Sequence, residues 1–135
     1  MNRQAARCFL AFIASTVCGS AMAHHSYAQF DRCQSMSIEG EIGSIAWANP
    51  HVVVTLKTGD ATAYRVEWWD LNRLARAGVS TDSLKVGDRV VVTGSLHRDP
   101  ELHVVTLLTA IRRPSDGWSW LRPSSLPPSC AREQI

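Results

Sequence analysis

The stretch "SIEGEIGSIAWANPHVVVTLKTGD", Ser37–Asp60, decides how the chain folds. Ile38 and Ile42 share one parity, whereas Ile45 and Trp47 fall on the other. The phase changes at Gly43-Ser44, which predicts one long strand with a bulge or bend at the glycine. Asn49-Pro50 ends that strand, because a proline and the residue before it favour a turn. His51–Thr58 then alternates: Val52, Val54 and Leu56 point one way, and His51, Val53, Thr55 and Lys57 the other. Thr58-Gly59-Asp60 supplies the next turn.

Working outward, Ala61–Trp69 pairs back as a hairpin, with Tyr64, Val66 and Trp68 toward the core and Arg65, Glu67 and Trp69 opposite. Asp70 caps a short helix, "LNRLARA", which Gly78 stops. Leu71, Leu74 and Ala75 form its apolar stripe. Val86-Gly87-Asp88 turns into a strand over Arg89–Leu96, "HRDPE" turns again, and "LHVVTLLTAI" is the last strand. From Arg112 onward, prolines and serines predict an extended tail over residues 113–135 and not a packed element. Three strands, a short helix and two strands, with the first long and bent, fit a mainly β fold. The expected form is a five-stranded OB-like barrel with the helix between strands three and four. A small sandwich or an open meander is the alternative. Such a fold does not define a function.

The beginning of the chain reads as an address. Arg3 and Arg7 precede the apolar run "CFLAFIASTVCGSAMA", and Ala21-Met22-Ala23 has the small-x-small form of a signal-peptidase site. The run is short and rich in small residues for a membrane span, which needs about 20 strongly apolar residues. Residues around Cys18 lack the pattern of a lipoprotein site. Residues 1–23 are therefore expected to be removed, giving a periplasmic or secreted protein that begins at His24. The remaining chain of about 110 residues is expected to make one domain with a modest core, over residues 24–112, followed by the tail.

The whole chain carries 14 Lys+Arg against 12 Asp+Glu. Its excess of basic residues lies in the address, so the mature chain is electrically balanced. No basic patch points to nucleic acid, and no later run is long enough to span a membrane. Cys33 and Cys130 are the two cysteines left after cleavage, and an oxidising compartment would pair them as a disulfide.

The chain resembles a family of small secreted bacterial proteins of unknown function. The resemblance rests on Ala23-His24-His25-Ser26, Phe30-Asp31, Trp47-Ala48-Asn49-Pro50-His51, Glu67 and Leu84-Lys85-Val86-Gly87-Asp88. It covers about residues 23–111 and implies an exported small β domain. "WWDLN" stands where similar sequences have small residues and proline, and "HRDPELH" replaces a glycine-richer turn. The Cys-bearing tail is particular to this chain. The resemblance implies no activity.

A mature terminus of His24-His25 is a chelating end. An α-amine titrates near ~8 and an imidazole near ~6.5, so both lose protons close to neutral pH, as metal binding requires. A nitrogen-rich, roughly square site favours Cu(II) or Ni(II), and a tetrahedral one favours Zn. His51, beside a rigid turn and with outward parity, is the candidate third ligand; His103 is a weaker one. The bland alternative is a solvated histidine pair and a His51 that bonds its own turn.

The second candidate is a protein-interaction module without metal, using Trp47 and Trp69, whose parity is outward. The competing reading of the tryptophans is structural: Trp118 and Trp120 cover an open barrel end, and Trp47 packs under the amino-terminal arm. An enzyme is not expected. Ser26, Ser35 and Ser37 near His25 lack a nucleophile elbow, and Glu67 with Asp70 forms no acid/base pair. His97-Arg98-Asp99 has none of the other parts of a kinase.

Overall fold

The computed structural model describes residues 27–123. Its strands are β1 (Met36–Ala46), β2 (Val53–Lys57), β3 (Ala63–Glu67), β4 (Arg89–Leu96), β5 (Val104–Arg113) and β6 (Trp118–Leu121). One short helix, α1 (Leu71–Arg76), lies between β3 and β4. The sheet order is β3-β2-β1-β4-β5-β6, and a parallel pairing of β3 with β5 closes the first five strands into a barrel. This is the OB-like arrangement expected, with one extra strand.

The length and bend of β1 make closure feasible. Its residues 36–41 pair with β4, and its residues 41–46 pair with β2. The register shifts between Ile42 and Ser44, so Gly43 is the bulge at which one strand changes partners. Just before it, a Cβ on Gly40 would lie 2.6 Å from the Lys57 carbonyl oxygen, so only glycine lets β1 cross β2 this closely. The turn at 84–88 docks on the same bend: Gly87 N–H donates to the Ile42 carbonyl at 2.8 Å, and Ile42 N–H to that of Asp88 at 2.9 Å.

Alternation fills the barrel. Ile42, Val52, Val54, Leu56, Val66, Val90, Val92 and Ile111 are buried and form one cluster. Leu74 of α1 joins it, together with Val79 and Leu84 from the loop that follows. Leu71 is half-buried, and Ala75, expected on the apolar stripe, is exposed. Two side chains hold the start of α1. Asp70 Oδ1 accepts from Arg73 N–H at 3.0 Å, and Asn49 Oδ1 accepts from Leu71 N–H at 3.1 Å. Gly78, at φ 75°, follows the helix in the left-handed conformation expected of its stop signal. No helix among the described residues is long and apolar enough to cross a membrane.

The expectation of an unpacked tail from residue 113 is corrected over its first part. Residues 118–121 form β6 and pair with β5 from Ala110 to Arg113. Trp120 is only 3% exposed. Arg113 drives this return of the chain. It bonds Asp116 at 2.8 Å, Asp88 at 2.6 Å and the Ser83 carbonyl at 3.0 Å, and its guanidinium lies 5.6 Å from the Trp118 ring centre. The prolines and serines that suggested a tail mostly follow Leu121.

Candidate functional site

A bulge in β5 lies at the cleft that qualifies as a site. β5 pairs with β3 only at Val104 and Val105, whereas farther along the same flank it pairs with β6. Between them the β4–β5 register shifts, Gly94 approaches the Thr106 carbonyl, and Leu107 takes a left-handed φ of 50°. The seam of the barrel therefore opens beyond Val105. One wall of the gap is the exit of β3 at Trp68-Trp69-Asp70; the floor is Thr106, Leu107 and Leu108; and Arg122 follows β6 on the far side. Arg73, His51, Glu67 and Tyr27 complete the rim. The volume is about 70 Å³, room for a small polar group but not for a nucleotide or an organic cofactor.

Three indoles support the gap. Trp120 meets Trp68 edge to face at 5.1 Å and Trp69 at 5.0 Å. Trp68 and Trp120 are buried, and the indole N–H of each has no hydrogen-bond acceptor among the described residues. A buried donor left this way costs about 1–3 kcal/mol. Trp69 is half-buried and packs on the core, despite its outward parity. The Arg73 guanidinium lies 4.8 Å from its ring centre and that of Arg122 5.9 Å, both within cation–π range.

The acidic groups of the rim are already engaged. Glu67 pairs with Arg65 at 3.0 Å, and Asp70 caps α1. Arg73 and Arg122 have no carboxylate partner among the described residues.

The sequence-predicted residues divide as follows. His51 lines the cleft, and its Nδ1 lies 3.2 Å from the Trp68 carbonyl oxygen. A carbonyl only accepts, so Nδ1 carries the proton in this contact. His24 and His25 lie outside the described residues, but Tyr27, two positions after His25, lines the same cleft as His51. The arm that begins there is tied down. Phe30 bridges to His97 and meets its ring at 5.1 Å, and Arg98 N–H donates to the Gln29 carbonyl at 2.8 Å.

His103 is directed elsewhere. It shares a different hollow with Tyr64 and His97, and meets the Tyr64 ring at 5.2 Å. Among the described residues, no three His, Cys, Asp or Glu side chains cluster to hold a metal. Cys33 is exposed, and Cys130, its proposed partner, lies outside the described residues. Trp47 is half-buried against the core. Sequence reasoning missed Arg73 and Arg122. It placed Arg73 off the apolar stripe of the helix and left Arg122 in the tail, since no local pattern shows that the two converge on Trp69.

By its topology the chain is a small OB-type barrel with one added strand, and its cleft lies where the barrel seam parts. It belongs to a family of unknown function (DUF6152), whose model matches residues 12–106. Leu107, Trp120 and Arg122 lie beyond that match. No curated protein and no solved structure matches the chain.

Proposed function

We infer that this protein is an exported, non-catalytic binding module that takes a transition metal, Cu(II) or Zn, at the cleft beside His51. The mature amino terminus, His24 and His25, supplies the remaining ligands after cleavage at Ala23. One observation carries the reading: Tyr27 and His51 line the same cleft, on chain segments far apart in sequence. An extended residue spans about 3.3 Å or slightly more, so His25 is about 7 Å of chain from Tyr27 at most. The Nδ1–H bond to the Trp68 carbonyl also supports it, since metal-binding imidazoles commonly donate their other nitrogen to a carbonyl.

The test is a titration of the processed protein with Cu(II) and Zn. Replacing His51 by alanine is expected to weaken Cu(II) binding by about tenfold or more and to change the ligand-field spectrum. His103→Ala, outside the cleft, leaves both unchanged. Binding also weakens as the medium is acidified, because the ligands must be unprotonated. Equal affinity and identical spectra in parent and His51→Ala would sink the joint site and leave the terminus chelating alone. A second reading, a protein-interaction module using Trp69 without metal, draws on the placement of Trp69 at the cleft.

A further inference from the structure

We propose that the arginine side of the cleft is a binding site for a small oxyanion, a carboxylate or phosphate group, held by Arg73 and Arg122 beside the Trp69 ring. The proposal does not rest on the metal reading, because neither arginine is a metal ligand.

Two observations point to it independently. The first is charge. Arg73 and Arg122 come from separate elements, α1 and the segment after β6, yet both converge on the Trp69 ring, at 4.8 and 5.9 Å. Neither has a carboxylate partner among the described residues, while Glu67 is occupied by Arg65 and Asp70 by the start of α1. Two cationic groups on one small cleft raise its positive potential, and an oxyanion would be drawn to it. Guanidinium groups present planar forks of donors that match carboxylate and phosphate oxygens. The second observation is placement. Arg73 and Arg122 line one concave cleft together with the half-buried Trp69, so an anion entering it is met from two elements at once.

Size selects among anions. About 70 Å³ accommodates a carboxylate or a single phosphate group, and any larger ligand must leave its remainder outside. Glu67 and Asp70 on the rim keep the anion toward the two arginines.

The experiment follows the five indole N–H resonances by ¹H–¹⁵N NMR in the presence of a chelator, so that no metal contributes. Sodium acetate and inorganic phosphate are added in separate titrations against sodium chloride of equal ionic strength. The Trp69 resonance is expected to move saturably with at least one oxyanion and not with chloride. The arm that saturates identifies a planar or a tetrahedral ligand. Arg73→Gln and Arg122→Gln should each weaken that binding by about tenfold or more, as expected for a lost charge-assisted bond. Arg76→Gln, on the exposed part of α1, should not. Should Arg122→Gln lose the dispersed spectrum of the folded protein, Arg122→Lys serves instead: it keeps the charge, loses the fork and is expected to weaken binding severalfold. Failure of both anions to saturate the Trp69 shift, or binding indifferent to both arginines, would overturn the proposal. Metal affinity would be unaffected by that result.

Discussion

Gly40 shows how much of this barrel depends on single backbone contacts. Its missing side chain lets β1 pass the Lys57 carbonyl, where a Cβ would sit at 2.6 Å, with the Leu56 side chain at 2.8 Å. Neither the carbonyl nor a buried leucine can give way as a flexible surface chain would. Gly40→Ala is expected to destabilise the fold by about 1–3 kcal/mol, the usual cost of overpacking. Gly59, with nothing within 4 Å of its Cβ position, is the control. Gly59→Ala should stay within about 0.5 kcal/mol of the parent in urea unfolding. Equal midpoints for the two variants would mean that β1 and β2 separate at little cost. At the same scale, the Asn-Pro-His run has a structural role whatever it binds: Asn49 holds the start of α1, and His51 bonds the exit of β3.

Among the elements, β6 depends most on electrostatics. Arg113 joins it to the 83–88 loop, and Asp116 also accepts from Trp118 N–H at 3.1 Å. The hydrogen bond from Arg113, then that from Trp118 N–H, holds the Asp116 carboxyl below its ordinary value of 3.8. The same pairs, Asp116 first and then Asp88, raise the Arg113 guanidinium, which stays charged throughout. A depressed carboxyl stabilises the folded state above its unfolded pKa, and that contribution is lost as pH falls through the folded one. Asp116→Asn should therefore lower the urea midpoint at pH 7, and its curve should converge on that of the parent as pH falls below 3.8. A gap that persists unchanged in acid would assign the effect to packing instead.

Over the whole molecule, Trp120 is the piece that seals the seam. It reaches from β6 onto Trp68 and Trp69, across the opening left where β5 departs from β3. Trp120→Ala is expected to cost about 3–5 kcal/mol, as for other large buried aromatics. That is a large share of the stability of a small domain. Trp120→Phe should cost less than half as much, because the indole N–H meets no acceptor among the described residues. A phenylalanine variant as unstable as the alanine one would reveal an acceptor for that N–H.

What the sequence determined by itself is local and periodic. Alternation in 51–58 and 61–69, the phase slip at Gly43, the cap at Asp70 and the Gly78 stop each report a constraint between near neighbours. Such constraints are written in adjacent residues, and with strand order they made the five-stranded barrel legible. Parity failed for Trp69, because a strand leaving a barrel seam has neighbours on both faces once another strand crosses the gap. β6 escaped notice for a related reason: four residues in a serine- and proline-bearing segment carry little periodicity, and their strand is held by Arg113 contacts to residues 25 and 30 positions away. Only the tertiary structure placed Tyr27 with His51, or Arg73 with Arg122. Residues so distant along the chain meet because β5 bulges at Leu107 and pairs with β3 only before it, a geometry that no short stretch encodes.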